Sequence, residues 1–401
     1  MVYVAAVLCI AEILTMTGVA TYAAVLPVLR AEWGATNTLA GVVSGAFFAG
    51  YMAAVPVLVS LTDRIAARRV YVAACGALAI GAIAFASAAG PAGAIAAQAL
   101  LGAGLAGTYM PGLKELSDRT SGPRQSRAIA FYTSSFGLGT SLSLWLAGTI
   151  QSHLGWRAAF LAGAAGPVLA AALVLAALPA RPVARPTASR RGLFLRVLRD
   201  RRIAGYVMGY AAHNWELFAF RSWLVMFLGF AAAGARLSHP TIAAIVNLLG
   251  PIASISGNEI AAGRRLRTVR VLMGAGAVLA CATGLVARSG APIVVAVVCL
   301  YMLAMTADSA ALTAGLIEVS PPEARGTTMA VYSFFGFAGA FMGPVVFGAL
   351  LDAGGGAESH RAWILAFAGV ALVSVAGIIA LGQESRNATI GSTRIARRAG
   401  R

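Results

Sequence analysis

The segment Asn37–Leu61 reads NTLAGVVSGAFFAGYMAAVPVLVSL and contains no charged residue. It is followed by the charged turn TDRIAARR, residues 62–69, and then by a second apolar run over residues 70–89. A helix needs about 20 mostly apolar residues to cross the hydrocarbon core of a bilayer. This stretch therefore predicts two membrane-spanning helices joined by a short charged loop.

Ten further apolar runs of spanning length flank this helix pair. The predicted spans are residues 3–29, 37–61, 70–89, 92–116, 128–150, 158–180, 203–232, 240–261, 269–287, 291–317, 326–351 and 362–381. We expect an all-α membrane protein with twelve transmembrane helices in two pseudo-symmetric six-helix bundles, residues 1–180 and 203–382. The Pro- and Arg-rich residues 181–202 are expected to form a basic cytoplasmic linker, and residues 383–401 a disordered cytoplasmic tail.

Composition supports a membrane protein and excludes several other classes. The chain has 401 residues, of which 59% are hydrophobic and only 11% charged, whereas a soluble domain has about 25% charged residues. The net charge of +17 arises from arginines in short gaps between apolar runs, so no nucleic-acid partner is expected. The four cysteines lie inside apolar runs without metal-type spacing, and no nucleotide-binding loop or nucleophile motif occurs. We therefore expect no metal, no cofactor and no enzymatic activity.

The basic residues predict the orientation of the chain in the membrane. If both termini are cytoplasmic, 25 of the 31 basic residues lie in the inner loops, the linker and the tail, and five lie in the outer turns. Cytoplasmic loops carry an excess of Lys and Arg in membrane proteins. The sequence thus predicts a multi-pass protein of the bacterial inner membrane with both termini in the cytoplasm.

An internal repeat relates the two halves. The sequence AIAFY at residues 128–132 aligns with TMAVY at residues 328–332, an offset of 200. The charged pattern of residues 63–69, an acid followed five residues later by two arginines, returns at residues 259–265, an offset of 196. Parallel repeats of this kind are typical of secondary transporters.

Twelve spans in two halves, a long basic central loop and an acid-to-arginine loop after spans two and eight together resemble the major facilitator superfamily. In that family the loop after span two usually reads GxxxDRxGRR, and residues 59–69 read VSLTDRIAARR here. Both glycines and one arginine of the pattern are absent. The resemblance implies that Asp63, Arg64 and Arg68, with Glu259 and Arg264 in the second half, form a cytoplasmic gate. The simpler alternative is that the arginines only set the orientation.

Four charged residues fall inside predicted spans: Glu12 in span one, Glu216 and Arg221 in span seven, and Asp308 in span ten. A charge near the bilayer centre costs about 3 kcal/mol on insertion scales, so such residues indicate a functional site. The family resemblance implies that spans one, four, seven and ten line a central cavity. We expect the three acids, together with His213, to carry protons. Structural ion pairs or hydrogen-bonded acids are the alternative.

Span seven carries the predicted substrate site. Asn214 and Arg221 share a helix face at a spacing of seven residues, and His213 neighbours Glu216 at a spacing of three. A guanidinium binds carboxylate or phosphate with two hydrogen bonds, so Arg221 is expected to contact an anion or an acid on another helix. The other residues expected to bind substrate are Asn214, Trp215, Tyr22 and Tyr332.

These features predict a secondary transporter that moves a small organic or inorganic anion by alternating access, coupled to protons. The expected partners are a small-molecule substrate, protons and the lipid bilayer, and the protein is expected to be a monomer. Two alternatives remain from the sequence. One is a proton-driven exporter of cationic or amphipathic compounds, and the other is a membrane receptor or scaffold that transports nothing.

Overall fold

The computed structural model describes residues 2–120, 123–179, 197, 199–321 and 324–399, and this part of the chain contains helices and no strand. The helices of the first half are α1 (Val2–Met16), α2 (Thr21–Glu32), α3 (Asn37–Leu61), α4 (Ala67–Ala86), α5 (Pro91–Arg119) and α6 (Pro123–Ala177). Those of the second half are α7 (Arg201–Ala231), α8 (His239–Ala261), α9 (Arg265–Leu285), α10 (Ala291–Ala307), α11 (Ser309–Val319), α12 (Arg325–Ala353) and α13 (His360–Ala399).

The helices are consistent with twelve spans. Within the described residues, nine helical segments are long and apolar enough to cross a membrane, and one of them, Arg127–Ala177, is long enough for two crossings. Helices α5 and α7 are not among the nine, but they are long enough to cross as well, since their 29 and 31 residues correspond to more than 40 Å at about 1.5 Å per residue. The prediction of an all-α membrane protein is confirmed.

The first predicted span is interrupted between α1 and α2. The side chain of Thr17 donates to the Leu14 carbonyl at 2.8 Å, which ends α1 locally. The backbone N–H of Ala20 donates to the hydroxyl of Ser143 in α6 at 3.0 Å. A side chain of another helix therefore satisfies a backbone donor that the break leaves without a partner within its own helix.

A glycine kink divides α6 into the fifth and sixth spans. Gly155 has φ 83° and ψ 168°, a conformation that glycine adopts readily and other residues rarely. The next residue, Trp156, donates its indole N–H to Glu32 at the end of α2, at 2.7 Å. The two spans are joined without an intervening loop, which apolar length alone does not reveal.

The segment between the halves is described only in part. Residues 181–196 and 198 of the predicted linker lie outside the described residues. Directly before α7, Asp200 caps the helix by accepting hydrogen bonds from the backbone N–H groups of Arg202 and Ile203. At the other end of the second half, α13 continues as a helix to Ala399 where the sequence predicted a disordered tail. A polar composition does not by itself prevent a helix from continuing.

The two bundles meet mainly along three helix pairs: α3 with α12, α6 with α8, and α2 with α7. At the α3–α12 crossing the two helix backbones lie very close together. A Cβ atom at Gly41 would lie only 2.3 Å from the carbonyl oxygen of Pro344. Small residues at a crossing let helix backbones approach within the membrane. This crossing positions the residues described next.

Candidate functional site

At one end of the interface a carboxylate joins the two bundles. Asp352 in the last turn of α12 accepts hydrogen bonds from the backbone N–H and side chain of both Asn37 and Thr38 at the start of α3, at 2.6 to 3.0 Å. The first N–H groups of a helix have no partners within the helix and attract negative charge. We call Asn37, Thr38 and Asp352 the latch. An exposed ion pair, Arg30 with Glu358 at 3.1 Å, lies at the same end.

Contacts between the bundles continue from the latch towards the middle of the spans. Ser44 of α3 donates to Ser222 of α7 at 2.7 Å, and both side chains are buried. One turn further along α3, the rings of Phe48 and Phe218 lie 4.4 Å apart. Phe48 and Phe218 are both only partly buried.

The predicted gate residues lie at the opposite end and do not join the bundles. Asp63, Arg64, Glu259 and Arg264 are exposed. Arg68 donates to two backbone carbonyls at the end of α6, within its own bundle, at 2.6 and 3.4 Å. In the described part of the chain, side-chain hydrogen bonds between the bundles lie at the latch or in the middle of the spans.

Arg221 is a guanidinium without an acidic partner. Among the described residues no carboxylate lies within 4.0 Å of it, and its Nε–H has no hydrogen-bond partner. The guanidinium lies beside Gly250 of α8, next to Met302 and Thr306 of α10. Its central carbon, Cζ, lies 5.8 Å from the centre of the Phe218 ring. Contrary to one option open from the sequence, it does not pair with Glu12 or Asp308.

Amide groups lie on the same part of the second bundle. Asn214 is on the Arg221 face of α7, and its buried Nδ2 has no hydrogen-bond partner. Asn247 of α8 is fully buried, donates to the Ala243 carbonyl at 2.9 Å and keeps its Oδ1 without a partner. Trp215 is partly buried, and its backbone contacts Gly339 and Gly343 of α12. These groups supply hydrogen-bonding capacity that the protein itself does not use.

His213 pairs with Asp308. The His213 Nδ1 lies 2.8 Å from an oxygen of Asp308, and both residues are buried. Asp308 stands at the break between α10 and α11, and the ring of Tyr210 stacks on His213 with centres 5.9 Å apart. The helical spacing had suggested Glu216 as the neighbour of His213, but the direct contact comes from span ten.

Glu12 and Glu216 occupy similar environments in the two bundles. Each is buried, at 0% and 3% exposure, and each accepts one hydrogen bond from a hydroxyl group: Tyr132 to Glu12 at 3.0 Å and Ser374 to Glu216 at 2.6 Å. The other carboxyl oxygen has no partner in either residue. Their positions differ by 204, close to the offset of the internal repeat. Each bundle therefore holds one deep acid without a cation partner in the described part of the chain.

The two predicted substrate tyrosines bond within their own bundles. Tyr22 donates to the Ala40 carbonyl of α3 at 2.9 Å. Tyr332 lies 3.1 Å from the Thr313 hydroxyl and stacks on Tyr210 with ring centres 3.8 Å apart. Among the described residues no group of three or more His, Cys, Asp or Glu side chains is arranged to hold a metal ion.

Sequence reasoning did not identify the latch or Phe48. Asp352 carries one usable signal, because an acid in the last turn of a helix opposes the negative end of its own helix dipole and so suggests a partner elsewhere. Phe48 carries none, since an aromatic residue on an apolar span is usual in any membrane helix. Only the structure shows that its ring meets Phe218 of the opposite bundle.

The chain is similar in fold to solved transporters. A bacterial homologue of the human lysosomal transporter Spinster, in an inward-facing and unoccupied conformation, is 15% identical, with 94% of each chain covered and a TM-score of 0.74. The same protein in its occupied inward-facing conformation gives a TM-score of 0.75. The nucleoside transporter NupG is 16% identical, with 94% of this chain and 99% of that one covered and a TM-score of 0.78. At these identities the likeness shows the fold alone.

Sequence comparison identifies the family directly. No curated protein matches the chain significantly. A family model described as the Major Facilitator Superfamily matches residues 8–308, about three quarters of the chain. The protein is therefore a multi-pass membrane protein that belongs to the Major Facilitator Superfamily of transporters, as the resemblance predicted.

Proposed function

We propose that this protein is a secondary transporter that moves a small anion across the bacterial inner membrane by alternating access, driven by protons. Transport follows from the family, whereas the anion, the coupling ion and the membrane are inferences from the residues. The observation that carries the proposal is the unpaired guanidinium of Arg221, placed between helices α7, α8 and α10 with unpartnered amide groups nearby. Without a bound anion, this partly buried cation has no compensating charge among the described residues.

Proton coupling is supported by Glu12 and Glu216. A carboxylate buried away from water with an unpartnered oxygen and no cation costs several kcal/mol in its charged form, so the neutral acid is favoured there. Each acid would release its proton when its bundle is exposed to water during the transport cycle. The His213–Asp308 pair, which lies at the break between α10 and α11, supplies a further site for proton exchange.

The orientation follows from the basic residues. The excess of arginines in the loops at the end opposite the latch supports cytoplasmic termini. In this orientation the latch is periplasmic and the predicted gate residues are cytoplasmic. The latch contacts close the periplasmic end, whereas the exposed gate residues leave the cytoplasmic end without such contacts. This arrangement corresponds to an inward-facing state. We further propose that the protein works as a monomer, since one chain supplies both bundles and all the residues of the proposed site.

The proposal is tested with purified protein and a panel of charged compounds. Inorganic phosphate, lactate, succinate and benzoate represent anions, and tetraphenylphosphonium and ethidium represent the cationic compounds of an exporter. We expect thermal-shift stabilisation by at least one anion and by neither cation. In proteoliposomes, uptake of that anion should rise with an imposed pH gradient. Stabilisation by the cations alone would favour the exporter, and no stabilisation or uptake with any compound would favour a receptor or scaffold.

Replacing Glu12 or Glu216 with glutamine tests the coupling. Glutamine keeps the size of the side chain and mimics a permanently protonated acid. We expect each variant to lose about tenfold in uptake driven by a pH gradient, because the group no longer releases a proton. Exchange of labelled for unlabelled substrate without a gradient should be retained.

Glu318 provides the matched control for these variants, because it is an exposed acid that pairs with Arg265 at the surface, where ion pairs contribute little. The Glu318→Gln variant should behave like the unmodified protein in both assays. If Glu12→Gln and Glu216→Gln also kept full gradient-driven uptake, proton carriage by these acids would be wrong.

A further inference from the structure

We propose that the anion is a flat monocarboxylate with an aromatic body, bound with its carboxylate on Arg221 and its ring against Phe218 and Phe48. This inference deepens the proposed function and rests on it. It assigns the chemical class of the substrate, which neither the family nor the related folds provide.

The charge count favours a single negative charge. Arg221 is the one lysine or arginine in the middle of the described spans, and His213 is already paired with Asp308. A dicarboxylate or phosphate would bring a second negative charge for which the described residues offer no second cation. A charge buried without a partner is strongly unfavourable. A monovalent anion leaves the site neutral.

The surface next to Arg221 favours an aromatic body. The Phe218 ring lies directly below the guanidinium, 5.8 Å from its carbon, and Phe48 packs against Phe218 from the opposite bundle with an interplanar angle of 49°. Both residues are partly exposed. Aromatic rings in offset or edge-to-face contact stabilise each other beyond the area that they bury. A ring attached to a carboxylate on Arg221 would lie next to these two phenylalanines.

The two phenylalanines also connect ligand binding to the movement of the bundles. Phe48 belongs to the first bundle and Phe218 to the second. A ring that packs against both contacts both moving parts at once, whereas acetate would contact Arg221 alone. An aromatic acid can therefore bind the two transport states with different affinities, which is the requirement for a ligand to shift a conformational equilibrium.

Isothermal titration of the purified protein with matched ligands tests this assignment. Benzoate, cyclohexanecarboxylate and acetate share one carboxylate and differ in the body, whereas benzamide keeps the ring and removes the charge. We expect benzoate to bind at least tenfold more tightly than acetate and more tightly than cyclohexanecarboxylate. Benzamide, succinate and phosphate should bind at least tenfold more weakly than benzoate.

Variants locate the effect at the phenylalanine pair. Phe218→Leu should weaken benzoate binding about tenfold and leave acetate binding unchanged, and Phe218→Tyr should restore benzoate binding. Phe334→Leu, at a phenylalanine of α12 that is 48% exposed, is the matched control and should have no effect.

The ligand series on the unmodified protein distinguishes failure of the aromatic monocarboxylate assignment from failure of the anion-transporter proposal. Binding of phosphate or succinate in preference to benzoate, lost in Arg221→Gln, would overturn the aromatic monocarboxylate and leave the anion transporter standing. Binding of tetraphenylphosphonium with no anion binding would overturn both. Equal affinity for benzoate and acetate would also contradict the aromatic assignment.

Discussion

The Arg221→Gln variant is expected to lose about 100-fold in anion uptake while remaining folded. The neutral amide keeps much of the side-chain volume and removes the positive charge that a buried carboxylate requires. Removing one partner of a buried, hydrogen-bonded charge pair costs about 3 kcal/mol, and about 1.4 kcal/mol corresponds to a tenfold change in affinity. Since Arg221 has no acidic partner in the described protein, its loss leaves no protein carboxylate unpaired, and folding should be preserved.

Initial rates of uptake into proteoliposomes measure this effect. Arg221→Lys separates charge from geometry, because lysine keeps the charge and loses the planar two-pronged guanidinium; we expect intermediate uptake. Arg288→Gln makes the same substitution at an exposed position and should be indistinguishable from the unmodified protein. Anion uptake by Arg221→Gln within threefold of normal would show that Arg221 does not bind the substrate.

The Asp352→Asn variant is expected to open the latch end of the protein. Asp352 accepts four hydrogen bonds from Asn37 and Thr38, and an asparagine would present an NH₂ donor to some of these donors. Hydrogen bonds to a charged group contribute roughly 1.5–3 kcal/mol each. The latch exists only when the two bundles meet at this end, so a loss of about 2–3 kcal/mol shifts the conformational equilibrium about 30- to 100-fold towards states in which this end is open.

Cysteine accessibility measures this shift. A cysteine at Ser44, which is buried behind the latch, is introduced after the four native cysteines have been replaced, and labelling by a membrane-impermeant maleimide is followed with time. The Asp352→Asn background should increase the labelling rate at least tenfold. Glu358→Gln is the matched control, since its pair with Arg30 lies at the same end but Glu358 is 77% exposed. Equal labelling rates with Asp352 intact and with Asp352→Asn would contradict a role of Asp352 in closing this end of the protein.

The fold could be predicted from the sequence because the bilayer imposes a length on every apolar segment. The run Asn37–Leu61 and its neighbours give the number and order of the spans, and the arginines give an orientation. The break before Thr21 and the kink at Gly155 could not be predicted, because both depend on hydrogen bonds from another helix or on a backbone angle. Hydropathy records neither.

The site could be predicted only in part, for a related reason. A charge in an apolar span is conspicuous, so Glu12, Glu216, Arg221 and Asp308 stand out in the sequence. Helical spacing relates residues within one helix, whereas the contact of His213 with Asp308 joins residues 95 positions apart. Which deep charges pair and which stay free depends on how the helices pack, and the free guanidinium is the feature on which the proposed function depends.

The hydrogen bond from the Ala20 backbone to Ser143 has a consequence for biosynthesis. The first span enters the membrane early, but a lone helix broken at this point leaves polar backbone groups facing hydrocarbon. Ser143 belongs to the fifth span and emerges from the ribosome more than a hundred residues later. Until then the leading helix either remains continuous or retains water at its centre, and its mature broken shape arises only when the fifth span docks.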